Sequence, residues 1–236
     1  MRSRTATCAI GLLLAATALS ACGSSSSGNG IASKSPNAIV AATVAALKSL
    51  TSVHVDGSVT NAAGTTTSLN FSVASNGASG SIAQGPDRFQ MVEVAGTIYV
   101  KATAAVWSSY SPTAAQLLGG KWLKMPPGNT QFASLTGLTN IHALFANVRV
   151  QPGITLTKGA TTTVDGVKVV ALNNVTKGAT VYIATTGKPY VIEISEAASA
   201  AAGLSVRLVF SDFNTPVPLA APPHALNFSA LAKLAG

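Results

Sequence analysis

Residues 53–59 read VHVDGSV, and residues 69–84 read LNFSVASNGASGSIAQ. Apolar residues occupy every second position over most of both stretches, which is the period of a strand with one buried face. Asn76-Gly77 separates two such runs and is a strong hairpin signal, because both residues tolerate the positive φ of a type I′ turn. This part of the chain therefore predicts an antiparallel meander.

The same alternation recurs on the C-terminal side of the meander. Further strands are predicted at 88–94, 97–102, 154–164, 167–172, 179–184, 190–195 and 204–213. Turn signals such as Gly85-Pro86 and Asp165-Gly166 separate them. Alternation predicts that Tyr190, Ile192 and Ile194 share one face of a strand, and that Val206, Leu208 and Phe210 share one face of another. The total is about ten strands.

Helical patterns appear in two regions, near residue 36 and in the middle of the chain. Ser35 is a good N-cap and Pro36 suits the first helical position, so a helix is predicted over 36–50. This helix is apolar on nearly every side, and Lys48 is its only charged residue. Such a pattern is typical of a helix that is buried or that lines an apolar cavity. Residues 103–120 and 130–148 predict short helical pieces and an amphipathic helical stretch. The order of strands, helices and strands predicts an α+β fold, with one large curved antiparallel sheet and helices on its apolar side.

The composition disfavours an enzyme. The chain has 236 residues, with 15 Lys and Arg against 7 Asp and Glu, and a net charge of +8. Charged residues make up 9% of it, against about 25% in an average soluble domain. Three His, two Cys and seven acids offer little material for a metal site or an acid–base pair. A binding or carrier protein is the favoured class.

No catalytic or metal motif contradicts this interpretation. The chain has no G-x-S-x-G, C-x-x-C or H-E-x-x-H pattern. His54 lies on an alternating strand, His142 on an amphipathic helix and His224 in a loop after two prolines. Glu193 and Glu196 are expected to be solvated near a strand end. We predict no catalytic residues, no cofactor and no metal.

The N-terminus has the layout of a targeting segment. Met1–Arg4 is basic, and the apolar run Ala9–Ala18 has 10 residues. It is too short to span a bilayer, which needs roughly 20 residues. It leads into Leu19-Ser20-Ala21-Cys22, which resembles the bacterial lipobox, in which the cysteine becomes lipidated. The alternative is an ordinary secretory signal with a chance cysteine.

The lipobox resemblance divides the chain into three parts. Residues 1–21 are the expected signal peptide, 22–35 a lipidated Gly/Ser-rich tether, and 36–236 a single domain. Cys8 is lost with the signal, so Cys22 is the only cysteine left and no intrachain disulfide forms. Loss of Arg2 and Arg4 lowers the net charge from +8 to +6. We expect a monomer anchored by acylated Cys22 to the extracytoplasmic face of the cell membrane.

Beyond the lipobox and its tether, two further stretches resemble actinobacterial lipoproteins of the LppX/LprG type and their LolA-like relatives. One is IYVK at 98–101, followed by Trp107 and by GKWLKMP at 120–126. The other is VYIATTGKPY at 181–190, followed by FSDF at 210–213. The resemblance implies a half-open β-barrel whose concave face, closed by helices, holds acyl chains of lipids or glycolipids.

The expected ligand cavity follows from the apolar helix and the inward strand positions. The candidate lining residues are Ile39, Val40, Val44, Leu47, Leu69, Phe71, Val73, Ile98, Val100, Phe132, Leu135, Leu144, Ile192, Ile194 and Leu208. Lys101, Lys121 and Lys124 are the candidate cavity rim, where their charge would attract an anionic headgroup. Trp107 and Trp122 are assigned either to that rim or to packing within the helical insertion.

Two functions are compatible with this pattern. The first is a membrane-anchored lipoprotein that binds acyl lipids or glycolipids, for transport or presentation across the cell envelope, with any transporter partner unspecified. The second is an envelope sensor or scaffold lipoprotein with a LolA-like domain and no lipid cargo. Nucleic acid is not an expected partner, because the lysines are scattered and not interleaved with aromatic residues.

Overall fold

The computed structural model describes residues 28–126, 139–146, 148–149, 154–176, 178–197 and 203–228. A 3-10 helix at Ile31–Ser33 precedes four α-helices in the described part of the chain. The helices are α1 (Pro36–Leu47), α2 (Ala104–Ser108), α3 (Pro112–Leu118) and α4 (Ile141–Leu144). The strands are β1 (Ser52–Thr60), β2 (Thr66–Ala74), β3 (Gly77–Gln84), β4 (Asp87–Val94), β5 (Thr97–Ala102), β6 (Trp122–Lys124), β7 (Leu156–Val164), β8 (Val167–Asn174), β9 (Ala179–Ala184), β10 (Val191–Glu196), β11 (Ser205–Ser211) and β12 (Leu226–Asn227).

All these strands form one sheet in the order β12-β6-β5-β4-β3-β2-β1-β11-β10-β9-β8-β7. Neighbours pair antiparallel, except that β12 pairs parallel with β6. The predicted α+β class with one large antiparallel sheet is therefore confirmed. The described strands number twelve rather than about ten. The strands beyond that count are β6 and β12, which have only three and two residues. β6 lies within 121–126, which the sequence predicts as a short extended piece, whereas β12 is too short for alternation to reveal it.

The predicted capping of α1 is present. The Ser35 hydroxyl accepts a hydrogen bond from the Ala38 amide at 3.4 Å, and Pro36 takes the first helical position. The helix ends at Leu47, three residues before the predicted Leu50. The Leu50 amide instead donates to the Leu47 carbonyl in a turn, and the Leu50 side chain is buried in the core.

The sheet has two unlike faces. The paired residues Phe210, Val55, Phe71, Gly80, Met91 and Val100 point to one face, here called the inner face. Leu47 and Leu50 cover the centre of this face together with Ile141 and Phe145. Trp107 covers its β5–β6 end, and Ile39 and Val40 cover β8 and β9. The prediction that the helices pack on the apolar side is confirmed.

The centre of the inner face is filled. Phe71, Val55 and Val73 have no exposed surface, and the rings of Phe145 and Phe210 lie 4.9 Å apart between centroids. Gly80 pairs with Phe71, and a Cβ at Gly80 would collide with the Phe71 ring. The glycine therefore leaves the space that this ring occupies.

A β-bulge in β10 changes which residues face inward. Val191 pairs with Ile183, and Glu193 pairs with Tyr182, so Ile192 is an extra residue in the strand. Ile192 packs with Val169 and Ala184 on the opposite, outer face. The prediction that Ile192 shares a face with Ile194 was wrong, because strict alternation fails across a bulge.

The C-terminal part of the predicted tether is docked onto the sheet. Ile31 is buried against Val170 and Ile183, and the Lys158 ammonium donates to the carbonyls of Ala32 and Lys34 at 2.9 and 3.1 Å. Residues 28–35 are thus part of the folded body, although their composition predicted a flexible tether. Burial of a single isoleucine is a signal that Gly/Ser content does not reveal. The predicted signal peptide, Cys22 and residues 23–27 lie outside the described residues.

Candidate functional site

A cavity of about 370 Å³ lies on the inner face beside the filled centre. It is enclosed by α1, by Leu144, Val148 and Arg149, and by strands β7 to β11. Its apolar lining consists of Val40, Leu144, Val148, Ile154, Leu156, Leu172, Ala179, Val181, Ile183, Ile194 and Leu208. The side chains are small or medium-sized and none is aromatic, so the space between helix and sheet is not closed.

Strand register builds the floor of the cavity. Leu172 pairs with Val181, Val181 with Ile194, and Ile194 with Leu208, so four apolar residues on four neighbouring strands point to the same face. The bulge at Ile192 allows Val191 and Ile194 both to face inward. The floor therefore follows from three strand pairings and one irregularity.

Two elements form the roof. Val40 reaches the cavity from the middle of α1, and Leu144 from the last turn of α4. The Asn140 carboxamide oxygen caps α4 by accepting from the amides of His142 and Ala143 at 2.9 and 3.1 Å. This cap sets where the short helix begins and so where Leu144 lies.

Polar groups lie at one end of the cavity. Asn174 pairs with Ala179, and Ala179 with Glu196, so these residues form the last row of the floor. Glu196 and Arg149 both contribute to the lining, and Arg149 is exposed. The cavity thus has an apolar interior and an opening that carries one cation and one anion. Such a site suits an amphiphile, with its chain inside and its polar head at the opening.

The structure places the predicted lining residues in several environments. Val40, Leu144, Ile194 and Leu208 line the cavity. Ile39, Leu47, Leu69, Phe71, Val73 and Val100 are instead buried in the core, and Ile98 packs against it. Val44 and Leu47 line a separate space of about 120 Å³ beneath α4. Ile192 is on the outer face, and Phe132 and Leu135 lie outside the described residues.

The predicted lysine rim is not at this opening. Lys101 pairs with Trp122 and Lys124 with Tyr99, beside inward-facing Val100 and Leu123, so both lysines face outward. Lys101 Nζ lies 5.9 Å from the centroid of the Trp122 ring. Lys121 is exposed immediately before β6. β5 is five positions from β11, the nearest strand of the cavity. Arg149 is the basic residue that lines the opening.

The two tryptophans are both accounted for by packing. Trp107, on α2, is buried against Val100 and Leu123 of the sheet, and Trp122 is half-buried beside Lys101. Half of the cavity residues that sequence reasoning missed are on β8 and β9. The alternation of Val170 with Leu172, and of Val181 with Ile183, was the signal that could have identified them.

The polar residues that are candidates for catalysis are hydrogen-bonded or ion-paired to neighbouring side chains, or lie far from one another in the fold. His54 Nδ1 is 3.0 Å from Ser72 Oγ on the outer face, where Asn70 also contacts Nε2. Glu193 is buried rather than solvated, and its Oε2 is 2.8 Å from Arg207 Nη2. The prediction for Glu193 was wrong because the bulge turns it beneath Arg207. Within the described residues, no group of three or more His, Cys, Asp or Glu side chains is placed to hold a metal.

None of the helices in the described ranges is both long and apolar enough to cross a bilayer.

The fold is an open sheet covered by helices on one face, and its architecture is similar to that of the lipoprotein LppX. The crystal structure of the lipoprotein LppX of Mycobacterium tuberculosis matches 78% of this chain and 98% of its own, with a TM-score of 0.50 and 22% identity. The resemblance seen in the sequence is thereby confirmed as a likeness of fold.

Two further solved structures are more distant. The chain matches MucB in complex with MucA over 81% of its length and 60% of that chain, at 12% identity and a TM-score of 0.38. A LolA superfamily protein of Nitrosomonas europaea matches 80% of this chain and 96% of its own, at 8% identity and a TM-score of 0.27. No protein-family model and no curated protein sequence matches the chain significantly.

Proposed function

We propose that this protein is a membrane-anchored envelope lipoprotein that binds the acyl chain of a lipid or glycolipid. The observation that carries the proposal is the cavity of about 370 Å³, with an apolar interior and a charged opening. Its volume lies near the lower end of the roughly 300–1,000 Å³ typical of ligand sites. The likeness of fold to a lipoprotein adds support.

Burial of the chain supplies the binding free energy. Each methylene removed from water contributes about 0.8 kcal/mol, so a chain of about ten buried methylenes contributes on the order of 8 kcal/mol before the costs of association. The lining offers no buried hydrogen-bonding group at its centre. The length of the buried acyl chain, rather than any polar group on it, therefore determines this part of the binding free energy. Glu196 and Arg149 at the opening are the groups that distinguish one polar head from another.

Anchoring and location complete the proposal. Acylated Cys22 attaches the protein to the extracytoplasmic face of the cell membrane, and residues 23–27 connect it to the docked segment 28–35. Five residues span at most roughly 18 Å even when fully extended, so the body stays close to the membrane. A lipid would then pass between the membrane and the cavity over a short distance, for transport or presentation.

One observation favours the alternative of a sensor or scaffold without lipid cargo. The centre of the inner face is filled by Phe71, Val73 and Met91 under Leu47 and Phe145. A sheet that is filled there requires no ligand for stability. The cavity over β8 to β11 lies outside that filled centre, which is why we favour acyl binding.

Native mass spectrometry of the purified protein tests the proposal. We expect a mass shift that is removed by organic solvent and that matches a lipid identified in the extract. The lipid-free protein should then bind a fluorescent fatty acid saturably. An extract without lipid, together with no saturable binding of any acyl ligand, would favour the sensor or scaffold.

A further inference from the structure

A second groove, of about 520 Å³, lies at the other end of the inner face. Its lining consists of Leu50, Ala74, Ser75, Asn76, Gly77, Glu93, Ala95, Gly96, Thr139, Asn140, Ile141 and His142. Glu93 is near the C-terminal end of β4, and Asp87 is at the start of that strand. The pairing of successive strands across the sheet aligns Asp87 with Glu196, which lies at the opening of the acyl cavity. The groove and the opening of the acyl cavity are therefore at opposite ends of the strands.

Glu93 occupies a position where an apolar residue would be expected. It pairs with Ala78 and Ile98, and Ala78 is fully buried in the core of the inner face. Its Oε2 atom is buried and has no hydrogen-bond partner among the described residues. The Oε2 atom is thus shielded from water without a donor that replaces the lost hydration. The groove thus contains an acceptor that lacks a donor.

We propose that this groove binds a small ligand carrying a primary ammonium group, which Glu93 holds by a charge-assisted hydrogen bond. An ammonium provides both the missing donor and the opposite charge, and such bonds are stronger than those between neutral groups. A divalent metal requires several oxygen ligands, and Glu93 is the one carboxylate in the lining. The charge and the single carboxylate therefore favour an amine over a metal.

The walls of the groove suit a ligand with a polar body. Asn76 lies in the turn between β2 and β3, and Asn140 and His142 lie at the start of α4. The carboxamide oxygen of Asn140 is held by the amides of His142 and Ala143, which orients that side chain. These groups can hydrogen-bond hydroxyl or amide groups attached to the amine. This inference does not depend on acyl binding, since the two sites share no lining residue.

Ethanolamine and ethylene glycol form a matched pair of probes, because they differ only in an ammonium against a hydroxyl. Each is titrated into the ¹⁵N-labelled protein while the amide shifts of residues 75–77 and 140–143 are followed by NMR. We expect saturable shifts with ethanolamine, and affinity for ethylene glycol weaker by about tenfold or more, which corresponds to about 1.4 kcal/mol. Glu93→Gln should lose the ethanolamine shifts. Asp87→Asn, the matched control on the same strand, should keep them.

Several results would overturn the inference. They are equal affinity for the two probes, ethanolamine shifts that persist in Glu93→Gln, or no saturable shift with ethanolamine in the unaltered protein. The comparison of the two probes needs no variant, so it is decisive even if Glu93→Gln folds poorly. If the unaltered protein shows the ethanolamine shifts but binds no fatty acid, the proposed function is contradicted and this inference still stands.

Discussion

Ile192 and Ile194, two residues apart on one strand, lie on opposite faces of the sheet. The bulge between Val191 and Glu193 inserts one residue, so Ile192 joins Val169 on the outer face while Ile194 lines the cavity. The same irregularity places Glu193 beneath Arg207. One extra residue therefore sets both the floor of the cavity and the ion pair between the buried Glu193 carboxylate and the exposed Arg207 side chain.

Filling the acyl cavity should abolish acyl binding while the fold survives. Val181 is half-buried at the centre of the floor, and Val181→Trp adds an indole to a cavity of about 370 Å³. We expect loss of fluorescent fatty-acid binding. Val92→Trp places the same change on the outer face of β4, opposite Tyr99, and should leave binding unaltered. Equal binding by the two variants would show that the cavity is not the acyl site.

The charge at the opening should select the polar head. Arg149→Gln removes the basic group that lines the opening, so we expect weaker binding of a fatty acid, by about tenfold or less, and little change for a neutral monoacylglycerol. Added salt should reduce the difference in the unaltered protein. Lys101→Gln tests the rim that the sequence predicted, and should change neither affinity, because Lys101 faces outward beside Trp122. A larger effect from Lys101→Gln than from Arg149→Gln would place the rim at the lysines.

Gly80 should be intolerant of a side chain. A methyl group at this position collides with the Phe71 ring, so Gly80→Ala should lower the free energy of unfolding by about 1–3 kcal/mol. Urea denaturation followed by fluorescence or circular dichroism measures the loss. Ser79→Ala, one residue away and on the other face, should change stability much less. A neutral Gly80→Ala would mean that both the Phe71 ring and the Asn70 carbonyl move without cost.

The Arg207–Glu193 pair should be coupled. Arg207→Gln leaves the buried Glu193 carboxylate without its 2.8 Å partner, and should cost about 1–3 kcal/mol of folding free energy. Glu193→Gln in the same background should recover part of that loss, because the uncompensated charge is gone. A double-mutant cycle measures the coupling. Additive effects of the two substitutions would show that the pair contributes nothing beyond its single side chains.

Cys22 should be the site of lipidation. Cys22→Ala removes the only thiol that follows the lipobox-like run, so incorporation of a palmitate analogue should be lost and the protein should appear as precursor or be released from the membrane. Metabolic labelling and membrane fractionation measure both effects. Cys8→Ala, within the expected signal peptide, serves as the control and should be labelled normally. Undiminished label on the Cys22 variant would reject the lipobox.

Much of the fold was predictable because its signals are local. Alternation at 53–59 and 69–84, the β2–β3 hairpin and the Ser35-Pro36 cap each depend on residues close in sequence, and each is present in the structure. The turn of that hairpin is Ser75-Asn76, one residue before the predicted Asn76-Gly77, because Ala74 pairs with Gly77. The likeness to LppX-type lipoproteins was also visible in short stretches, and the fold confirms it. The site was less predictable. Of the candidate lining residues, Val40, Leu144, Ile194 and Leu208 are in the cavity, while Phe71 and Val73 belong to a filled core.

The sequence by itself determined which residues are apolar, how they alternate along each strand and where the chain turns, because backbone geometry relates these to near neighbours. Only the tertiary structure decided that β1 lies beside β11, that Ile192 faces outward, and that Arg149 rather than Lys101 reaches the opening. A buried apolar side chain has the same sequence signature whether it touches another side chain or lines an empty space. The difference lies in the distance between helix and sheet, which packing across the whole inner face sets.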